Sequence, residues 1–207
     1  MRNFALLLVR LTVGGLLAGH GAQKLFGWFG GHGLEGTSGW MESMGLRPGK
    51  PWALLAGLSE FGGGVLTLLG FLNPLGSLGI TGAMGMAIGK AHWGKPIWVT
   101  SGGAELPVIN IAVALALGLS GPGDISVDRL LGIKLPRRLV LVPGLILAAA
   151  SVAYGLYIST TPQPEAQPEE AVRVETQPDT QPEAPQVPEN VAGAELQGGQ
   201  DATVPLG

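Results

Sequence analysis

Five apolar stretches, each long enough to cross a lipid bilayer, fill the first 158 residues of this 207-residue chain, and charged side chains sit inside several of them. About 20 apolar residues at 1.5 Å rise match a hydrocarbon core of roughly 30 Å, so the solvent for most of the chain is lipid. The stretches span residues 4–22, 52–72, 75–93, 104–121 and 138–158. Only Asn73 and Pro74 join the second to the third, which makes those two an antiparallel hairpin. The reading is all-α: a polytopic transmembrane bundle with a four-helix core over residues 1–133, a fifth transmembrane helix over 134–158, and a tail over 159–207.

The tail is a different physical object. It holds eight prolines and nine acids against one base, Arg173, a net charge of −8, whereas residues 1–158 carry +5. A short polar unit recurs as Gln163-Pro164-Glu165, Gln167-Pro168-Glu169, Gln177-Pro178-Asp179 and Gln181-Pro182-Glu183. Such a segment has too little apolar surface to offset its ordering entropy, and it reads as a disordered, solvated spacer. Cysteine is absent from all 207 residues, so the chain cannot itself run thiol–disulfide exchange or hold an iron–sulfur cluster. Any redox role needs a bound cofactor or a partner protein.

The first stretch has a rival reading. Arg2, the apolar run Phe4–Leu17 and the small Ala18 and Gly19 look like a cleavable signal peptide. Against it stand Arg10 inside the run and His20, Gln23 and Lys24 after it. Counted at 100° per residue, Arg10, His20 and Lys24 share an arc of about 80°, with Gly14 and Gly21 beside it. The first helix therefore presents one polar, thin face. The second carries Glu60 about 12 Å below its Trp52 end, flanked by Gly57 and Gly64, and the third repeats the device with Gly82, Gly85 and Gly89. Small residues at this spacing let membrane helices approach closely, and tight packing alone explains them.

The charges demand more. An ionisable group at a helix centre costs about 2.5–3.5 kcal/mol to insert, so it faces the bundle interior and has a partner. Arg10 with Glu60 is the first candidate pair, and Lys24 is the other candidate cation. Chain direction puts the 23–51 loop, the 94–103 loop, the tail and all five tryptophans at one end of the bundle. His20, Lys24, Lys90, His92 and Glu105 fall at the same end, with Asn110 one to two turns deeper. Convergence at one interface argues for a half-membrane pocket over a pore. Taken singly, the lysines suit snorkelling and the tryptophans suit an aromatic belt. Within the 23–51 loop, Thr37 or Ser38 is expected to cap a short helix that lays Trp40, Met41 and Met44 on the membrane surface. Neither spaced cysteines nor a helical His-x-x-x-His pair is present, so no metal site is expected, and nothing points to nucleic acid.

The basic cluster Arg129, Lys134, Arg137 and Arg138, with Arg2, favours a cytoplasmic N-terminus and an extracytoplasmic tail. The expected location is a bacterial or archaeal plasma membrane.

Several short motifs carry a resemblance. Arg10 followed by Gly19-His20-Gly21-Ala22-Gln23-Lys24-Leu25-Phe26-Gly27 resembles the first-helix signature of the DoxX family. Gly45-Leu46-Arg47-Pro48 leading to Trp52, with Glu60-Phe61-Gly62-Gly63-Gly64, is similar to its second-helix pattern. His92, Gly102-Gly103-Ala104-Glu105 and Gly121-Pro122-Gly123-Asp124 follow in order, so the resemblance covers roughly residues 5–133. It implies a four-helix membrane protein related to the DoxD subunit of thiosulfate:quinone oxidoreductase and linked to membrane oxidoreductase complexes. The fifth helix and the tail depart from that pattern.

Two functions of different class follow. In the first, the chain is a subunit of an oxidoreductase system that holds a quinone non-covalently, with soluble or membrane oxidoreductase subunits as partners. Quinone chemistry couples electrons to protons, which suits a site containing histidine and carboxylate. Arg10, His20, Lys24, Glu60, Lys90, His92, Glu105 and Asn110 form its candidate polar intramembrane site, with no catalytic residue assigned. In the second, the chain is a non-enzymatic small-solute transporter or assembly partner whose ion pairs are structural.

Overall fold

The computed structural model describes residues 1–161, and the expectation of a disordered tail over 159–207 falls, past Thr161, on residues outside them. Among the described residues the regular structure is helical throughout. Helix α1 runs Arg2–Phe26 and contains a π turn at Arg10–Gly14. Helix α2 covers Gly33–Ser43, α3 covers Gly49–Leu69, and α4 covers Leu75–Ala87 and continues through a second π turn, Ile88–His92. Helix α5 is Glu105–Ser120, α6 is the short Val127–Leu131, and α7 is Arg137–Ile158.

Three of these, α1, α3 and α7, are long and apolar enough to cross a membrane. Helix α5 is a shorter apolar helix of 16 residues, about 24 Å at 1.5 Å per residue, less than a full hydrocarbon core. The expected fourth span is thus shorter than a full crossing, and Gly121 turns the chain at its end with φ +84°.

Glycine sets how the helices meet. A side chain on Gly14 would come within 2.6 Å of Leu68 N and 2.8 Å of Gly64 O. Gly64 is equally pressed against Ala18, and Gly21 against Phe61. The backbones of α1 and α3 thus touch along about two turns, where dispersion replaces the hydrophobic drive that lipid does not supply. Gly63 and Gly76 do the same between α3 and α4. Helix α7 lies along α4, with Ala148, Val152 and Leu156 over Gly82, Gly85 and Gly89. The core is small for the same reason: Leu17, Ile80, Met84 and Ala114 at the centre, and Met41, Leu46 and Ala53 beneath α2.

That second cluster corrects the expectation for the 23–51 loop. Helix α2 starts at Gly33, so Thr37 lies inside it, buried, with Oγ1 donating to Gly33 O at 2.7 Å and lying 3.3 Å from Lys24 O. Met41 is 5% exposed and faces the protein, while Trp40 remains exposed. The apolar side of α2 packs on Leu46 and Ala53, with Leu34, Met44 and Trp52 around them.

Candidate functional site

The seam between α1 and α3 positions the central acid. Gly21 leaves no side chain between α1 and Phe61, so Lys24, one turn on, reaches over α3. Its Nζ lies 2.5 Å from Oε2 of Glu60. The carboxylate side chain is 7% exposed and the lysine 24%, so the pair is largely withdrawn from solvent. A group so placed is retained only if it is paired.

Around this pair lies a cavity of about 650 Å³. His20, Lys24, Glu60, Lys90, His92 and Asn110 line it, together with Ser59 and many apolar side chains. His20 Nδ1 is 3.1 Å from Gln23 Oε1 and His92 Nδ1 is 2.7 Å from Gly102 O. Both partners are oxygens that accept, so each ring donates from Nδ1 and turns Nε2 away from that bond. Lys90, in the π turn of α4, donates to Ser159 Oγ at 2.8 Å. Asn110 Nδ2 has only a long contact, 3.7 Å, to Met84 Sδ. Chemically, the wall offers ammonium and amide donors, imidazole rings and one carboxylate in an otherwise apolar space. Among the described residues, no cluster of three histidine, aspartate or glutamate side chains could hold a metal ion.

Two of the singled-out residues are elsewhere. Glu105 is outside the cavity wall, where Oε2 accepts from Val99 N at 2.9 Å and fastens the loop before α5. Arg10 is at the opposite end of the bundle. Its guanidinium donates to Thr67 O and Leu68 O, each at 3.0 Å, to Ile125 O at 2.8 Å and to Pro122 O. The expected Arg10–Glu60 pair therefore does not form. The pairing of Gly14 with Gly64 and Leu68, and of Gly21 with Phe61, sets Arg10 level with the end of α3, several turns from Glu60. Close by, buried Asp128 accepts from Leu72 N at 2.8 Å and Asn73 N at 3.0 Å, tying α6 to the α3–α4 hairpin.

Sequence reasoning missed the contribution of α7. Val140, Gly144, Leu147, Ala148, Ser151 and Val152 form one wall of the cavity. The available signal was Gly144 and Gly155, which Leu78 and Met86 of α4 would strike if either carried a side chain. It also missed the ceiling, made by Trp40, Met41 and Met44 of α2. Helices α3 and α7 flank the cavity yet scarcely touch, meeting chiefly where Trp52 and Tyr154 stack with ring centroids 6.4 Å apart. Leu55 and Leu147, which line the cavity from these helices, are 50% and 69% exposed, so the space reaches the lipid-facing surface between them.

No curated protein and no solved structure matches the chain. The family model described as DoxX matches residues 5–93, which stops short of the motifs around Glu105 and Asp124. That segment contains nearly all of α1 and the whole of α2 to α4, and with them His20, Lys24, Glu60, Lys90 and His92; similar to DoxX over those residues and built on long apolar helices, this chain is a membrane protein.

Proposed function

We propose that the cavity takes a quinone from the bilayer and that the protein serves as a subunit of a plasma-membrane oxidoreductase system, with its N-terminus cytoplasmic and its C-terminus outside. One observation carries the reading: an apolar cavity, open to lipid between α3 and α7, that gathers Lys24, Glu60, Lys90, the two histidines and Asn110. Its 650 Å³ falls within the range of cofactor-sized sites, and its few polar groups suit a flat ring with two carbonyl oxygens.

Reduction of a bound quinone to its quinol takes two electrons, which a partner subunit must deliver, and two protons. Lys90 and Asn110 have donors suited to a carbonyl oxygen. His20 and His92, each held at Nδ1, are suited to pass a proton through Nε2. Glu60 holds Lys24 in place, and the low local dielectric strengthens what that ammonium does to a nearby oxygen.

A second reading, a small-solute transporter or assembly partner, draws on the same ion pair, since Lys24 and Glu60 already neutralise one another. Titration of the purified protein with a short-tailed quinone analogue separates the two. Saturable binding that weakens in His20→Ala and Glu60→Gln supports the first. Absent binding, or binding indifferent to both changes, supports the second.

A further inference from the structure

At the end of the bundle opposite the main cavity's polar groups, the C-terminal end of α5 and the N-terminal end of α7 border a second cleft of about 560 Å³. Its walls are Leu119, Leu135, Leu139 and Leu141, and Arg137 and Arg138 stand at its edge. The charges and the apolar walls must be explained together.

The cations are unusually uncommitted. Arg137 spends one N–H on Leu119 O, at 2.9 Å, which fixes the guanidinium at the mouth with its other donors available. Arg138 and Lys134 are exposed and make no hydrogen bond or ion pair among the described residues. The two aspartates of this end are already engaged. Asp128 is buried under the Leu72 and Asn73 amides, and Asp124 is held by Asn3 at 2.5 Å and by Arg129 at 3.9 Å. The apolar surface is equally bare: Leu119 is 65% exposed and Leu139 75%. Cations that served only to orient the chain would need no cleft beside them.

Depth completes the argument. Arg137 opens α7, and its apolar stretch begins at Leu139, so the guanidinium groups lie where the hydrocarbon gives way to headgroups. An arginine fork matches a phosphate in two hydrogen bonds, and a hydrocarbon chain suits the leucine walls. We infer that the cleft between α5 and α7 is a binding site for an anionic phospholipid, with the phosphate on Arg137 and Arg138 and an acyl chain along Leu119 and Leu139. It is separate from the quinone site, which shares α7 but opens between α3 and α7.

The test uses the full chain in detergent, offered equal amounts of phosphatidylglycerol and phosphatidylcholine, with bound lipid counted by native mass spectrometry. The anionic lipid is expected to be retained preferentially, and Arg138→Gln to lower its affinity about fivefold, from roughly 1 kcal/mol per interfacial charge. Arg137→Gln with Arg138→Gln should lower it further, while Lys50→Gln and Lys95→Gln at the other end leave it unchanged. Because Arg137 also braces Leu119, Arg138→Gln alone decides the matter, with an unchanged unfolding midpoint showing that the fold is intact. Equal retention of the two lipids, or equal losses from the Lys50 and Lys95 changes, overturns the inference. So does stabilisation by free glycerol phosphate as large as that by the lipid, which would mark a phosphate site without a lipid.

Discussion

Lys24, in the last turn of α1, closes a 2.5 Å ion pair with Glu60 in the middle of α3, across a seam where Gly21 removes every intervening side chain. Removing one partner strands the other in a dry setting. Glu60→Gln is expected to destabilise the protein by about 3 kcal/mol, as breaking a buried pair does. The double change Lys24→Met with Glu60→Gln should cost less than the sum of the single changes, whereas Arg10→Met with Glu60→Gln should be additive. Unfolding of detergent-solubilised protein measures both cycles, and additivity in the first would refute the pairing.

The α1–α3 seam admits no Cβ. Gly64→Val presses a side chain into the backbone of Ala18, so about 3 kcal/mol or more of stability, or the ability to fold, should be lost. Gly62, two residues away, has open space around its Cα, and Gly62→Ala should be neutral or slightly stabilising. Monodisperse yield on size exclusion and thermal midpoints report the contrast. Equal tolerance at the two positions would mean the helices are not in backbone contact.

Arg10 collects carbonyls from the end of α3 and from the segment before α6. Lysine has its three donors on one nitrogen and no fork, so it cannot reproduce contacts to both sides. Arg10→Lys is therefore expected to lose about 3 kcal/mol despite keeping the charge. A midpoint within error of the parent would show that charge, and not the fork, is what this end of the bundle needs.

If ligands reach the main cavity from the bilayer, bulk at the gap between α3 and α7 should hinder them. Leu147→Trp, at a side chain already 69% exposed, should leave the unfolding midpoint unchanged and slow association of a quinone analogue several-fold. Stopped-flow fluorescence reads the rate. An unchanged rate alongside unchanged affinity would point to a different route in.

The bundle itself was legible because apolar runs of bilayer length, broken by Asn73 and Pro74 or by glycine-rich loops, leave few alternatives. Alternating chain direction was enough to put His20, Lys24, Lys90 and His92 at one end, and Glu60 is brought to them by the reach of Lys24. Register was not legible. Counting from the edges of hydrophobic stretches treats Arg10 and Glu60 as neighbours, whereas the true register is set by where Gly14, Gly21 and Gly64 let backbones touch. The role of α2 was hidden for a related reason: Trp40, Met41 and Met44 suit a membrane surface as well as a protein one, and only the neighbouring Leu46 and Ala53 decide between them. Helix α7 was read as an addition because the resemblance implies four helices only, yet packing against α4 is what brings Leu147 and Ser151 to the cavity.

The two π turns each hold one of the cations that matter, Arg10 in the first and Lys90 in the second. A π turn is in effect a single-residue insertion absorbed without breaking the helix. Helix α1 is therefore two rods spliced out of phase, and no single angular frequency describes the faces on both sides of the splice, whereas the turn in α4 ends its helix. Deleting one residue from Arg10–Gly14 to restore a regular helix would move more than the arginine. It would swing one rod against the other by about 100°, the angle per residue of an α-helix, and turn either the N-terminal rod or the face that carries Lys24 out to the lipid.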